Sequence, residues 1–166
     1  MINVVLVAAV TADGFIAKNT HQLSDWTSHE DKLFFRELTK RIGTMIMGSN
    51  TFDTLKRPLP GRRTIVLTRT PEKYAELGVE CTSEPLQALI QRLESEGVES
   101  VAICGGSNVY GQFMKLGLIN EIYLTVEPIL FGQGVTLFAQ ALDIELALLE
   151  HRNLNDNTTL FHYKIV

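Results

Sequence analysis

The sequence predicts an α/β fold in which a central, mostly parallel sheet is flanked by helices. Short apolar runs rich in Val, Ile, Leu and Thr recur along the chain, and segments with helical spacing of apolar residues separate them. Most of the runs are short enough to form strands that are buried on both faces, as in parallel sheets. The length of 166 residues predicts a single domain that spans residues 1–166.

Six apolar runs are predicted as strands because β-branched and other apolar residues predominate in them. They are residues 2–10, 44–47, 64–68, 100–104, 121–126 and 159–165. The first run has no basic start and is too short to span a bilayer. We therefore interpret it as a buried strand rather than a signal sequence or a membrane span.

Three helices are predicted between these strands. Residues 28–40 have an apolar face and start at Ser28, a residue type that commonly caps helix N-termini. Residues 85–96 have apolar residues at helical spacing, and Gly97 follows them. Residues 107–116 form the third helix, which begins after two glycines.

Loops are predicted where Gly, Pro and polar residues cluster. These stretches are residues 13–27, 57–63, 70–79 and 131–136. No internal repeat or linker interrupts the sequence, which agrees with a single domain.

Composition and charge exclude several classes of protein. Hydrophobic residues make up 45% of the chain and charged residues 20%, which are ordinary globular proportions. The net charge of -4 and the lack of a Lys/Arg block argue against nucleic acid and anionic membranes as partners. Cys81 and Cys104 belong to no CxxC or Cys/His cluster, which argues against a metal site and a disulfide framework. The expected location is a reducing cytoplasm.

Two predicted strand-to-helix turns combine glycine with small polar residues. Residues 101–110 run from a strand through Gly105-Gly106 into a helix, and residues 45–52 run from a strand through Gly48. Glycine lets the backbone approach a ligand closely, and a helix N-terminus attracts phosphate, so the pair suits a dinucleotide pyrophosphate. Each turn alone also has a structural interpretation without a ligand: a tight turn for the first and a capped helix after a strand for the second.

An acidic pair, Glu30-Asp31, opens the first predicted helix. The helix dipole favours acidic residues there, so the pair has a purely structural interpretation as well. Asp31 has Phe34 and Phe35 at i+3 and i+4, which places its carboxylate beside an apolar face, and such a group is a candidate functional residue. Glu30 lies about 100° around the helix and is the alternative. His29 is expected at the surface.

These residues and spacings resemble the dihydrofolate reductase family from residue 4 to about residue 138. The most specific motif is residues 57–62, Arg-Pro-Leu-Pro-Gly-Arg, similar to a stretch that in the family positions an arginine for the glutamate tail of folate. Arg62 takes the place of that arginine. Trp26 and Asp31 keep the spacing of the active-site tryptophan and acid. The resemblance implies a sheet with an antiparallel C-terminal strand, and NADPH as the cofactor.

The resemblance also assigns roles to individual positions. The positions implied for catalysis are Asp31, Trp26 and Thr125, the last as a hydrogen-bond partner of the acid. Those implied for substrate binding are Asp31, Phe35, Arg62, Val7 and Ala8. Those implied for cofactor binding are Ala9, Ile16, Gly48, Ser49, Asn50, Thr51, Thr68, Arg69, Cys104, Gly105, Gly106, Ser107, Asn108, Val109 and Tyr110. No metal is implied.

The reaction that the resemblance implies is the NADPH-dependent reduction of 7,8-dihydrofolate to 5,6,7,8-tetrahydrofolate. A hydride goes to C6 and a proton to N5, while Asp31 anchors the 2-amino group and the adjacent ring nitrogen of the pterin. The expected partner is therefore a small molecule, dihydrofolate, bound by a monomer or a homodimer.

Two segments depart from that family. Residues 11–17 and 127–138 look more like the pyrimidine reductases of riboflavin biosynthesis, so the alternative reaction is reduction of a ribosylaminopyrimidinone phosphate. That substrate calls for cations near its phosphate, and the sequence offers Arg57, Arg62 and Arg63. A non-catalytic dinucleotide-binding module is a third possibility, because glycine turns alone are weakly specific.

A third departure concerns the residue that would select NADPH over NADH. Ser49 stands where many dihydrofolate reductases carry an arginine that contacts the 2'-phosphate of NADPH. Arg69, just after the next strand, is our candidate replacement for that arginine.

Overall fold

An eight-stranded sheet crosses the molecule in the computed structural model, which describes residues 1–22 and 24–166. In chain order the strands are β1 (Asn3–Thr11), β2 (Phe15–Ala17), β3 (Thr44–Gly48), β4 (Arg63–Leu67), β5 (Glu80–Thr82), β6 (Ser100–Ile103), β7 (Glu121–Glu127), β8 (Val135–Thr136), β9 (Leu146–Asn153) and β10 (Thr159–Ile165). The helices are α1 (His29–Ile42), α2 (Ser49–Leu55), α3 (Leu86–Ser95) and α4 (Ser107–Lys115). The strand order in the large sheet is β5-β4-β3-β6-β1-β7-β10-β9, and β2 pairs with β8 in a separate two-stranded sheet.

The pairing directions confirm the predicted fold class. The first six strands in this order, β5, β4, β3, β6, β1 and β7, are parallel to one another. The last two are antiparallel, β10 to β7 and β9 to β10. Parallel neighbours need crossover connections that cover the faces of the sheet, and such strands are buried on both sides.

Strand β1 shows why the central strands read as continuous apolar runs. Val4 and Leu6 pack into one hydrophobic cluster, together with residues of α3 and α4. Val5 and Val7 face the other way and pack into a second cluster, with Leu38 of α1. Because successive side chains of a strand point to opposite faces, both sets of positions must be apolar when helices cover both faces.

Helix α1 begins at the predicted cap, Ser28, and ends at Gly43. The Ser28 side chain accepts a hydrogen bond from the backbone N–H of Asp31, and Gly43 ends the helix with a left-handed φ of 87°. The helix runs to Ile42, two residues further than predicted. Among the described residues, no helix is long and apolar enough to cross a bilayer.

Several elements differ from the prediction. The two loops predicted at 13–27 and 131–136 each contribute a short strand, β2 and β8, and these pair with each other. The loop predicted at 70–79 contains a short 3-10 helix, Pro71–Tyr74. The edge strands β5 and β9 were not predicted. β9 is exposed along its whole length, so its sequence carries no alternation of buried and exposed positions.

Candidate active site

A cleft of about 1520 Å³ opens at the carboxyl ends of the central strands. The second half of β1 and the ends of β3, β4 and β6 line it, together with the first turns of α1, α2 and α4. Ligands of open α/β sheets bind in such crevices, where neighbouring connections leave on opposite faces of the sheet. The cleft divides into a half around the glycine turns and a half around the start of α1.

The half around the glycine turns brings two backbones close together. The backbone N–H of Gly48 donates to the carbonyl of Gly105 at 2.8 Å, which ties the turn after β3 to the turn after β6. A Cβ atom at Gly48 would lie 3.1 Å from Cγ2 of Val109, and one at Gly105 would lie 3.3 Å from the Thr51 hydroxyl oxygen. Gly105 also has a φ of 116°, which favours glycine. These glycines therefore keep the two turns in contact.

The same region fits the pyrophosphate of a dinucleotide. The N-cap of α4 is Gly106, which provides no side-chain cap, so the N–H groups of the first turn of the helix remain available to a ligand. The hydroxyl of Ser107 is buried and has no hydrogen-bond partner among the described residues. A buried polar atom without a partner is costly unless a ligand or water satisfies it. The described residues contain no cluster suited to a metal ion.

Two side chains at the base of this half have their polar groups fixed by the protein. The Tyr110 hydroxyl donates to the carbonyl of Val7 at 2.7 Å, which joins α4 to β1. Burial raises the pKa of the Cys104 thiol to about 12. The thiol is therefore neutral near pH 7, and a neutral thiol is a poor nucleophile.

The other half of the cleft contains a buried carboxylate. Asp31, in the first turn of α1, is only 8% exposed. Burial raises the pKa of its carboxyl, and the negative charge of Glu127 adds to this, whereas hydrogen bonding with Thr125 and Thr27 lowers it. Thr125 is buried in β7 beside Ala9 of β1, and does not itself line the cleft. The cleft therefore holds a buried carboxyl group among polar and charged neighbours.

Aromatic residues form the walls near Asp31. Trp26 and Phe35 both line the cleft. The ring of Trp26 meets that of Phe131 edge-on, with centroids 5.2 Å apart, and its indole N–H is buried without a partner among the described residues. That N–H can donate to a ligand or to a water molecule beside one.

Arg62 lines the cleft, and only part of its guanidinium is held by the protein. Its Nε donates to the carbonyl of Pro60 at 3.0 Å and its Nη1 to the hydroxyl of Thr39, also at 3.0 Å. It forms no ion pair with any acidic group in the described part of the chain. These two contacts hold the guanidinium, and its remaining N–H groups are available to donate hydrogen bonds to an anion such as a carboxylate.

The neighbouring charged residues are placed differently from the expectation. Arg63 points away from the cleft and pairs with Glu80 and Glu96, each at 2.6 Å. Arg57 does not line the cleft either, whereas Lys32 and Arg36 do. The sequence analysis missed these two cations, although their i, i+4 spacing places them on one face of α1.

The structure also separates Asp31 from its alternatives. Glu30 does not line the cleft, and its carboxylate accepts a hydrogen bond from the side chain of Asn155 at 3.1 Å. His29 is exposed, as predicted. A residue that the sequence analysis missed is Glu127, a buried acid two positions after Thr125 on the same face of β7.

All the other positions that the sequence analysis assigned to the site meet in the cleft. They are Val7, Ala8, Ala9, Ile16, Trp26, Asp31, Phe35, Gly48, Ser49, Asn50, Thr51, Arg62, Thr68, Arg69, Cys104, Gly105, Gly106, Ser107, Asn108, Val109 and Tyr110. Their individual roles stay predictions, because a shared cleft does not assign a function to each residue.

The sequence profile of the dihydrofolate reductase family matches residues 3–163. The chain belongs to the dihydrofolate reductase family. The match extends the resemblance, which the sequence analysis ended near residue 138, through β9 to β10. The family consists of oxidoreductases, and this membership confirms the resemblance drawn from the motifs.

The individual relatives include a dihydrofolate reductase and a protein described as belonging to riboflavin biosynthesis. An uncharacterized protein of Bacillus subtilis, YwjB, is 30% identical over 142 residues, which cover 81% of each chain. The dihydrofolate reductase of Neisseria meningitidis serogroup A is 36% identical over 132 residues, 76% of each chain. A putative riboflavin biosynthesis protein from Shewanella superposes with a TM-score of 0.82 at 25% identity, over 99% of both chains.

Proposed function

We propose that this protein is a dihydrofolate reductase, which uses NADPH to reduce 7,8-dihydrofolate to 5,6,7,8-tetrahydrofolate. The observation that carries the proposal is the presence in the same cleft of a buried carboxylate, Asp31, and of Arg62, an arginine that has no acidic partner among the described residues. A pterin with an anionic glutamate tail needs these two groups at its two ends. The 36% identity to the Neisseria enzyme over 76% of this chain supports the same substrate.

The glycine half of the cleft would hold the cofactor. The N–H groups at the start of α4 and the Ser107 hydroxyl would donate to the pyrophosphate, while Ala9 and Ile16 would flank the nicotinamide. Bound NADPH would supply the hydride that C6 of the substrate receives. Arg69 lines the cleft, is exposed and forms no ion pair with the described residues, so it is free to contact a 2'-phosphate.

Asp31 would orient the pterin and favour its protonation. Its two oxygens would accept hydrogen bonds from the 2-amino group and the adjacent ring nitrogen, and its negative charge would stabilise the protonated substrate. Thr125 and Thr27 would hold the carboxylate in place. The proton for N5 would come from water, and the indole N–H of Trp26, which has no partner among the described residues, would position that water.

A second candidate function has an observation in its favour. Lys32 and Arg36 add two positive charges to the cleft. Burial lowers the pKa of the Arg62 guanidinium and Arg36 is close enough to lower it further; such a cluster suits a substrate with a phosphate group. The putative riboflavin biosynthesis protein from Shewanella has the same fold over 99% of both chains. The alternative substrate is therefore a ribosylaminopyrimidinone phosphate.

One assay tests both candidates. The purified protein is mixed with NADPH and either dihydrofolate or the ribosylaminopyrimidinone phosphate, and NADPH oxidation is followed at the nicotinamide absorbance band. Turnover with dihydrofolate alone is the expected result. Turnover with the other substrate alone would assign the enzyme to riboflavin synthesis, and binding of NADPH without turnover on either would favour the non-catalytic module.

A further inference from the structure

The carboxylate of Glu127, at the end of β7, is buried but has no role in the proposed reaction. The residue is only 3% exposed. Its Oε1 accepts hydrogen bonds from the backbone N–H of Ser28 at 2.9 Å and from the Ser28 hydroxyl at 2.7 Å, and its Oε2 accepts one from Thr158 at 2.9 Å. It forms no ion pair with any basic group in residues 1–22 and 24–166. The group acts only as an acceptor, as an ionised carboxylate does.

Ser28 connects this carboxylate to Asp31. The Ser28 hydroxyl oxygen accepts from the backbone N–H of Asp31 at 3.2 Å, while its proton is donated to Glu127. Because Ser28 is the N-cap of α1, Glu127 fixes the residue that sets the start of the helix on which Asp31 lies. Thr125, whose hydroxyl lowers the pKa of Asp31, lies two positions before Glu127 on the same face of β7.

We propose that Glu127 is a positioning residue, which holds Asp31 through Ser28 and whose buried negative charge keeps the complex of Asp31 and substrate protonated up to a higher pH. The kinetic part of this inference rests on the proposed function. The physical basis is that a negative charge close to a carboxyl disfavours loss of its proton. Asp31 and the bound pterin exchange protons as a coupled pair, so the charge acts on both.

Other charged groups near Asp31 do not cancel this effect. The titratable groups that face it are Glu127 from β7, Lys32 from α1 and Tyr110 from α4. Lys32 is exposed, and its Nζ donates to the carbonyl of Thr27 at 2.8 Å, so solvent screens its charge. Burial raises the pKa of Tyr110 well above its usual value, so its phenol is neutral. Glu127 is therefore the buried charge beside Asp31.

The first test needs neither substrate nor turnover. The Asp31 carboxyl is titrated by carbon NMR in the ligand-free protein, in the wild type, Glu127→Gln and Glu127→Asp. Glutamine keeps an acceptor for Ser28 and loses the charge, whereas aspartate keeps the charge. We expect the pKa of Asp31 to fall by about one unit in Glu127→Gln and to stay close to the wild-type value in Glu127→Asp.

The second test is the pH profile of kcat/KM for dihydrofolate. The alkaline midpoint should move to lower pH by about one unit in Glu127→Gln, which makes kcat/KM about tenfold lower at a pH above both midpoints. Glu127→Asp should restore the wild-type midpoint. A residue that only supports the fold would lower activity evenly across the pH range and leave the midpoint in place.

An unchanged Asp31 pKa in a folded Glu127→Gln protein would overturn the inference. If that variant does not fold, Glu127→Met, which is also neutral, answers the same question. A fall in the Asp31 pKa together with no turnover on dihydrofolate would keep the link between the two acids and reject the proposed function instead. The two failures are thus distinguishable.

Discussion

Replacing Asp31 by asparagine should have opposite effects on turnover and on stability, because the buried carboxylate serves the reaction but destabilises the fold. The amide has nearly the same shape, but it offers one acceptor in place of two and carries no charge. If Asp31 anchors and helps protonate the pterin, kcat/KM for dihydrofolate at pH 7 should fall by roughly 10²- to 10³-fold. The dissociation constant for NADPH should stay unchanged, because in the proposed complex the cofactor is held by the glycine turns and not by Asp31.

The same substitution should stabilise the fold at neutral pH. Burial raises the pKa of Asp31 above its ordinary value of 3.8, so the folded protein holds this proton more tightly than the unfolded chain. The stability from that proton is fully present below the unfolded pKa and is lost as the pH rises through the folded pKa. Each unit of difference corresponds to about 1.4 kcal/mol. Asparagine does not titrate, so its advantage should be largest at pH 7 and shrink towards pH 4.

Steady-state kinetics and urea unfolding between pH 4 and pH 7 measure both effects. Glu30→Gln is the matched control, since Glu30 is the adjacent acid and does not line the cleft. It should keep wild-type kinetics. A wild-type value of kcat/KM in Asp31→Asn would refute the role of Asp31 in turnover. If the variant were less stable at pH 7 by an amount that does not change with pH, the predicted cost of the buried charge would be refuted.

Three further substitutions test other parts of the cleft. Arg62→Ala should raise the KM for dihydrofolate about 10- to 100-fold and leave that for NADPH unchanged, since it removes one charged contact; equal effects on both ligands in steady-state assays would contradict its role. Gly48→Ala places a Cβ atom 3.1 Å from Val109 and should weaken NADPH binding about tenfold by separating the two turns. A fluorescence titration measures this, and an unchanged dissociation constant would contradict it. Arg69→Ala should raise the KM for NADPH and not that for NADH. If the wild type has similar KM values for both cofactors, Arg69 does not select NADPH through its 2'-phosphate.

The sequence predicted the central sheet and its helices because burial constrains every position there. β1 must be apolar on both faces, and the cap residue Ser28 marks the start of α1. The exposed edge strand β9 carries no such constraint, and its Ala, Leu and Glu residues are as suitable for a helix as for a strand. Its place in the sheet depends on pairing with β10, which is a tertiary contact.

In the candidate site, too, the residues with a local sequence signal were predicted and those that depend on tertiary contacts were not. Asp31 was identified because the phenylalanines one turn later reveal an apolar environment, and Gly48 and Gly105 because glycine after a strand is a local signal. Glu127 could not be found in that way, since its hydrogen bonds reach Ser28 and Thr158, which are distant in sequence. Arg63 was wrongly grouped with the cleft because sequence does not reveal its partners, Glu80 and Glu96.

The small sheet formed by β2 and β8 bears on how this protein can be recombined with its relatives. A Cβ atom at Gly134 would lie 2.4 Å from the backbone oxygen of Ala17, and Asp13 accepts hydrogen bonds from the N–H groups of Phe131 and Gly132. The two segments that, in the sequence analysis, look less like dihydrofolate reductases are therefore in contact, although more than a hundred positions separate them. A chimera that exchanges only one of them would join mismatched surfaces, so the two segments form a single unit of exchange.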